Sequence, residues 1–269
     1  LEPERAQPFD VVGAVGGGER DDRTVPDALP HHSGRGGDTG ARHVRVVVDG
    51  DLRQRPSAAP LRDVDAAAEA GVWVHLGSLA LRRNDPRMAN RGFVIDAEGA
   101  VRARYDKMHL FDVDLPTGES WRESAAYAPG AAAVVVDTPA GRLGLSICYD
   151  LRFPDLYRAL SDAGATILSV PAAFTRPTGA AHWHVLLRAR AIEAGAFVIA
   201  AAQTGEHADG RATFGHSLAI DPWGAVLADM GEAPGVALVD LDPSRLADVR
   251  ARIPVLSHRR PIPAVTIVE

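Results

Sequence analysis

The chain has 269 residues, 46% of them hydrophobic and 24% charged, with a formal net charge of -6 from 29 basic and 35 acidic residues. That length can bury a large core as one domain or two, and the acidic balance excludes a fold-wide basic surface for nucleic acid. No apolar run approaches the roughly 20 residues that span a bilayer, the opening LEPERAQPFD lacks the basic-then-apolar pattern of a secretion signal, and the lone Cys148 excludes an internal disulfide or a cysteine-clustered metal site.

Residues 1–60 do not read like the remainder. They hold no Ile and three Leu, against nine Gly, eight Arg and six Pro. GAVGGGERDDRTVPDALPHHSGRGGDTGARH shows neither helical nor strand periodicity, and only HVRVVVDGDLR passes for a strand and turn. Such leucine-poor, Arg-Gly-Asp-Pro-His-rich text is what a GC-rich gene gives out of frame, and a start at Leu1 fits a fragmentary gene. The segment 1–60 is therefore expected to be frame-shifted and poorly ordered, with 61–269 forming the folded domain.

From residue 64 the pattern becomes regular. VDAAAEAG reads as a helix end stopped by Gly71, and VWVHLGSLAL as a buried strand. FVID-AEGA-VRARYD is a β-hairpin with a glycine-bearing turn. A loop is expected from Lys107 to Gly130, then AAVVVDT and RLGLSICYD as strands joined by PAG. DLYRALSDAG is a short helix, ATILSVPAAF a buried strand, and AHWHVLLRARAIEAG an amphipathic helix capped by Gly195. FVIAAAQ, HSLAIDPWG and VALVDLD are further strands, and PSRLADVRARI a last helix. Alternating strands and helices with hairpins predict an α/β protein whose helices cover mixed sheets.

Two positions stand out chemically. Of 29 basic residues only Lys107 is lysine, which marks either chance or a site where a compact ammonium is required and a planar guanidinium will not serve. Cys148 ends the apolar run LGLSI just before a helical segment, and such an elbow lifts a nucleophile out of a sheet. A helix dipole and a nearby cation there would lower the thiol pKa; the alternative is a small buried hydrophobe.

GRLGLSICYDLRFPDLYRAL resembles the nucleophile motif of the nitrilase, or carbon–nitrogen hydrolase, superfamily, and RARYDKMHLFDVDLP its lysine motif. PAAFTRPTGAAHWHVLLRARAIEAGAFVIAAAQ and GHSLAIDPWGAVLAD are similar to its downstream segments in the Nit branch, which includes deaminated-glutathione amidase and omega-amidase. The resemblance implies a four-layer α-β-β-α sandwich, here with its first strand and helix expected to be missing or disordered, and at least a homodimer. It implies Cys148 as nucleophile, Lys107 as oxyanion cation helped by the backbone N–H of Tyr149, and Glu123 as the carboxylate orienting the lysine. The implied reaction is hydrolysis of a small linear carboxamide, of the deaminated-glutathione or omega-amide type, to carboxylate and ammonia through a thioester. Water and the amide are its only partners; no metal or organic cofactor is needed.

One family element is absent. The general-base glutamate should follow a strand well before the lysine, within residues 1–60, and no such motif stands there; Asp49 and Asp51 are the nearest carboxylates and neither is assigned. A non-catalytic relic, and nitrile or N-carbamoyl-amine hydrolysis on the same machinery, are the competing expectations. Arg152 and Phe153 either line a substrate mouth or shape the elbow, while Phe174 and Thr175 follow a strand where a pocket wall forms. His182 and His184, two apart on a helix, point to different faces and do not predict a metal site; one packed and one partly exposed histidine is expected. His216 is expected to bond backbone within a sheet, Glu193 to pair with Arg190, and Trp183 and Trp223 to be core or interface aromatics.

Overall fold

The computed structural model describes residues 9–13, 42–48, 59–84, 86–115, 118–207 and 210–268. In chain order the elements are β1 Phe9–Gly13, β2 Arg42–Val48, α1 Ala59–Ala70, β3 Trp73–Leu81, β4 Ala89–Ile95 and β5 Val101–Asp106. Next come β6 Asp112–Asp114, β7 Ser120–Arg122, β8 Val135–Thr138, β9 Gly141–Leu145, α2 Pro154–Asp162, β10 Ile167–Ser169 and α3 Arg176–Ala194. The last are β11 Phe197–Ala200, β12 Thr204–Glu206, β13 Ala212–Phe214, β14 Leu218–Ile220, β15 Val226–Asp229, β16 Gly235–Leu241, α4 Pro243–Arg252 and α5 Val255–His258.

Two six-stranded sheets result, ordered β16-β2-β1-β3-β4-β5 and β15-β14-β11-β10-β9-β8. Strand alternation sorts the side chains into layers. Leu143, Leu145, Ile167, Phe197 and Ile199 meet Val94, Tyr105 and Val239 between the sheets. The opposite faces of the same strands, at Leu168, Val170, Val198 and Ala200, pack under α2 and α3 through Leu156, Leu160, Trp183 and Leu187. On the outer face of the first sheet, Ala67 of α1 covers Val74, Leu76, Phe93 and Ile95. The order is helix, sheet, sheet, helix, which is the expected four-layer sandwich.

The hairpin of β4 and β5 forms as predicted, with Gly99 at φ 82° in its turn, and α3 ends at Gly195 with φ 50°, a left-handed cap that glycine adopts without a Cβ clash. Two expectations need correction. The first strand of the sheet is present: β1 lies between β2 and β3 and pairs with both in parallel, and only β2 of this pair is legible in the sequence. The stretch from Lys107 to Gly130 is not plain loop, because β6 and β7 pair antiparallel and a 3₁₀ turn follows at Glu123–Ala125. Asp49, Asp51, His31 and His32 lie outside the described residues.

Between the sheets, His75 of β3 shares a 2.7 Å hydrogen bond with Ser169 Oγ of β10. Burial pushes its imidazole down to about 4, so it is neutral at pH 7 and joins the two sheets by a polar bond without a buried charge.

Candidate active site

The β9 chain leaves its sheet gradually. Beyond Leu145, Ser146 N donates to Ser169 O at 3.2 Å and Cys148 N to Pro171 O at 2.9 Å, so the segment still tracks the one after β10. It then turns sharply. Cys148 takes φ 51° and opens the 3₁₀ turn Cys148–Arg152, an unfavourable backbone state for a non-glycine residue that costs of order 1 kcal/mol.

What holds that turn is Asp150, whose side chain is fully buried. Its Oδ2 accepts from Tyr105 OH at 2.7 Å and Ile147 N at 2.9 Å; its Oδ1 accepts from His109 N at 2.9 Å and pairs with His109 Nδ1 at 2.7 Å. Phe153 stacks on the His109 ring at 3.6 Å, which assigns it to shaping the elbow rather than the pocket. From behind, Arg190 donates to Leu151 O through Nε at 3.1 Å and Nη2 at 2.8 Å, and pairs with Glu193 at 2.6 Å; the expected pair forms, but with Glu193 45% exposed rather than buried.

Lys107 leaves the end of β5 with its backbone fixed on both sides: its N–H donates to Asn90 O at 2.9 Å and its C=O accepts from Gly130 N at 2.8 Å. Its side chain is only 3% exposed, and Nζ lies 2.5 Å from Glu123 Oε2. The same oxygen accepts from Phe111 N at 2.7 Å, and Oε1 accepts from Asn90 Nδ2 at 3.2 Å. Glu123 is thus held by three separate donors and presents one fixed face to the lysine.

Lys107, Glu123, Cys148, Tyr149, Arg152, Phe174 and Thr175 all line one cavity of about 340 Å³. These seven sequence-derived candidates are brought together there, while Phe153 is not among the lining residues. Sequence reasoning missed Asn90, Ser78, Trp121 and Arg211 on the same walls, and Asp150 beneath them. The only signal for Asp150 was a charged residue two positions past the cysteine in an otherwise apolar stretch.

The expected fall in the thiol pKa does not occur. Burial pushes Cys148 above its ordinary value; Lys107 and the Ala173 backbone N–H pull it down, while Glu123 and Asp150 add to the rise. Lys107 is already paired, and a five-residue 3₁₀ turn supplies little macrodipole, so desolvation wins. The thiolate is the reactive form and its fraction grows with pH. Iodoacetamide labelling of Cys148 should therefore rise to a plateau with a midpoint above that of a free thiol. Lys107→Met removes an opposing cation and should move that midpoint further up; a midpoint below the free-thiol value would refute the burial argument.

The histidine expectations also change. His182 is exposed and accepts from Arg152 Nη1 at 3.2 Å; His184 is partly buried and bonds Asp229, as does His216, which was expected to bond backbone. Trp183 is fully buried and Trp223 half-exposed.

A partly buried thiol, an ammonium and a carboxylate facing one cavity of an α-β-β-α sandwich are the groups of a thiol-dependent hydrolase. The chain belongs to the carbon–nitrogen hydrolase family, a family of enzymes, whose model matches residues 54–251. It is 44% identical over 221 residues to the deaminated glutathione amidase of Yersinia enterocolitica, a match covering 81% of this chain and 75% of that protein. The crystal structure of the Caenorhabditis elegans NitFhit protein superposes with a TM-score of 0.73 at 39% identity, over 80% of this chain and 56% of that longer one. A variant of the amidase from Nesterenkonia sp. AN1, with the acetamide moiety of fluoroacetamide added covalently at its active-site cysteine, superposes with a TM-score of 0.61 at 31% identity, covering 73% and 71%. No helix among the described residues is long and apolar enough to cross a membrane.

Proposed function

We propose that this chain is a cysteine amidase of a small linear carboxamide that carries a carboxylate, of the deaminated-glutathione or omega-amide type. The observation that carries the reading is the convergence of Cys148, Lys107 and Glu123 on one cavity of about 340 Å³. The Cys148 thiolate attacks the amide carbon, the Lys107 ammonium and the Tyr149 N–H take up the oxyanion charge, and Glu123 aims the lysine. Ammonia leaves with the proton that the thiol gave up, and water then cleaves the thioester to carboxylate and free thiol.

The cavity's charge supports an anionic substrate. Arg122, Arg152 and Arg211 line it, against Glu123 as the one carboxylate among the described lining residues. Arg122 is committed to Asp114 through two 2.9 Å bonds. Arg152, stacked over Phe174 at 5.3 Å, is the better-placed clamp for a substrate carboxylate. Ser78 Oγ and Trp121 Nε1 are buried at the same walls without a hydrogen-bond partner among the described residues, and they suit the polar atoms of an amide.

The name and 44% identity of the Yersinia relative support the same substrate class. The family match beginning at residue 54 supports a change near residue 60 from anomalous text to recognisable hydrolase sequence, although β1 and β2 belong to the first sheet of the same domain. Exposed Val185 and Ile192 of α3 with Trp223, Val226 and Leu227 beside them support a homodimer through this face. A cytoplasmic setting, where a lone thiol stays reduced, fits the chemistry.

The test is an ammonia assay on deaminated glutathione, a short omega-amide, a nitrile and an N-carbamoyl amine, with intact-mass detection of a thioester. Ammonia from the carboxylate-bearing amides, with KM raised at least tenfold by Arg152→Ala, is the expected result. No thioester and no ammonia from any carboxamide, or a thioester that stops after a single equivalent of ammonia, favours the relic, in which water is not activated; turnover confined to the nitrile or carbamoyl amine overturns the amidase reading.

A further inference from the structure

His184, His216 and Asp229 come from three separate elements, namely α3, the turn between β13 and β14, and the end of β15. One ligand atom from each lies within 4.8 Å of the others. His184 Nε2 is 3.0 Å from Asp229 Oδ2, and His216 Nδ1 is 2.9 Å from Oδ1. None of the three lines the Cys148 cavity. We propose that they form a second site, one that takes a divalent transition-metal ion of the zinc class.

The donor set fits that class. Two imidazoles and a carboxylate are borderline ligands suited to zinc, cobalt, nickel or copper rather than to calcium or magnesium. In a tetrahedral zinc site with bonds near 2.1 Å, neighbouring donors stand about 3.4 Å apart. Taking Asp229 Oδ2 as the one carboxylate ligand, the two imidazole nitrogens stand 3.0 and 3.2 Å from it, slightly shorter than that, and the remaining pair lies within 4.8 Å, so an ion entering between the groups needs the carboxylate to open by a few tenths of an ångström and the two rings to adjust around it. The partly exposed setting leaves the fourth position to water.

The surroundings hold the three groups in place. His216 sits at φ 56°, and its backbone is pinned by its N–H donating to Gly231 O at 2.6 Å and its C=O accepting from Trp183 Nε1 at 2.7 Å. Trp183 is the neighbour of His184, so one buried ring fixes the backbone of both histidines' elements. Phe214 stacks on the His216 ring at 4.5 Å and meets His184 edge-on at 6.0 Å. Phe214 comes that close to α3 because of Gly179, where a Cβ would fall 2.3 Å from it. Asp229 Oδ1 accepts from Gly231 N at 2.9 Å, which orients the carboxylate. A non-glycine residue in a left-handed conformation, flanked by an aromatic buttress and an oriented carboxylate, is a built arrangement rather than a chance surface pair.

Binding needs the lone pairs of His184 Nε2 and His216 Nδ1. Each neutral ring therefore moves its proton to the other nitrogen, and a protonated ring releases one. The bound ion would clip α3 to the second sheet behind the cavity wall that Thr178 and Thr213 form.

The experiment uses the full chain carrying Cys148→Ala, so that the thiol does not compete, stripped with EDTA and titrated with zinc chloride by calorimetry. One equivalent should bind, His184→Ala and Asp229→Asn should each weaken it at least tenfold, and the exposed neighbour variant His182→Ala should bind like the parent. Modification by diethyl pyrocarbonate reads the same site without mutation: zinc should protect His184 and His216 and leave His182 reactive. No saturable binding at millimolar zinc, binding that both ligand variants leave unchanged, or equal modification of all three histidines would overturn the proposal.

Discussion

Cys148→Ala is expected to abolish ammonia release from any carboxamide that the wild-type chain hydrolyses, with a fall of about 10⁶-fold where nucleophile replacement in other covalent hydrolases is the guide. The substitution removes one sulfur from a turn that other residues hold: Cys148 N still donates to Pro171 O and Asp150 still anchors the backbone. Alanine tolerates the 51° φ of this position no better and no worse than cysteine. Urea unfolding should therefore change by only about 1 kcal/mol, the ordinary scale for losing one small buried group. Activity lost with the fold intact would separate a missing nucleophile from a collapsed pocket. Ammonia release that survived in this variant would remove Cys148 from the reaction and with it the whole reading of the cavity. Lys107→Met makes a graded comparison: one lost oxyanion partner costs about 10²–10³ in kcat. The loss should be accompanied by falling stability, because Glu123 would be left half-buried without its ammonium.

The parts of this molecule that were legible in the sequence are those set by neighbours along the chain. The β4–β5 hairpin announces itself through two apolar runs around a Gly99 turn, and α3 through apolar spacing that stops at Gly195. The site residues were legible for a different reason: Cys148 and Lys107 lie inside long ordered motifs, Glu123 stands in the short GESWRE between them, and the family resemblance supplied what spacing alone did not. Phe9–Gly13 shows the limit. Five residues in a glycine-rich stretch give no periodicity to read, and their strand state comes from parallel pairing with β2 and β3, partners that are remote in the chain. β6 and β7, three residues each, are too short for an alternating pattern.

Histidine chemistry was misread for the same reason. His182 and His184 invited a judgement on one helix, where spacing argues against a shared ion. The partners of His184 stand at positions 216 and 229 and meet it only through folding. The thiol pKa went the other way from expectation because a local motif shows which cation is near but not how dry the pocket is, nor that the cation is already paired with Glu123. The resemblance would put the general base in a stretch whose text departs from the family, and Asp49 and Asp51 lie outside the described residues.

Asp150→Asn should be the most damaging single change away from the cavity. The carboxylate is fully buried and receives two donors on each oxygen: His109 N and Nδ1 on one, Tyr105 OH and Ile147 N on the other. An amide keeps the shape but turns one acceptor into a donor, whichever way it flips. In either orientation one backbone N–H, that of Ile147 or of His109, then faces the N–H₂ group, while Tyr105 OH or the other tautomer of His109 can turn to accept from it; the unsatisfied N–H costs about 1–3 kcal/mol. With the weakening of the remaining charge-assisted bonds to neutral ones added, the expected loss is about 2–4 kcal/mol in urea unfolding, a large fraction of the stability of an ordinary domain. Tyr105→Phe removes a single donor from the same carboxylate and should lose only about 1 kcal/mol. The ratio between the two variants is the measurement that matters. If Asp150→Asn were no worse than Tyr105→Phe, the carboxylate would not be the group that holds Cys148 in its left-handed turn. If it is several-fold worse and labelling of Cys148 becomes rapid and independent of Lys107, the turn has opened and the thiol has left its cavity.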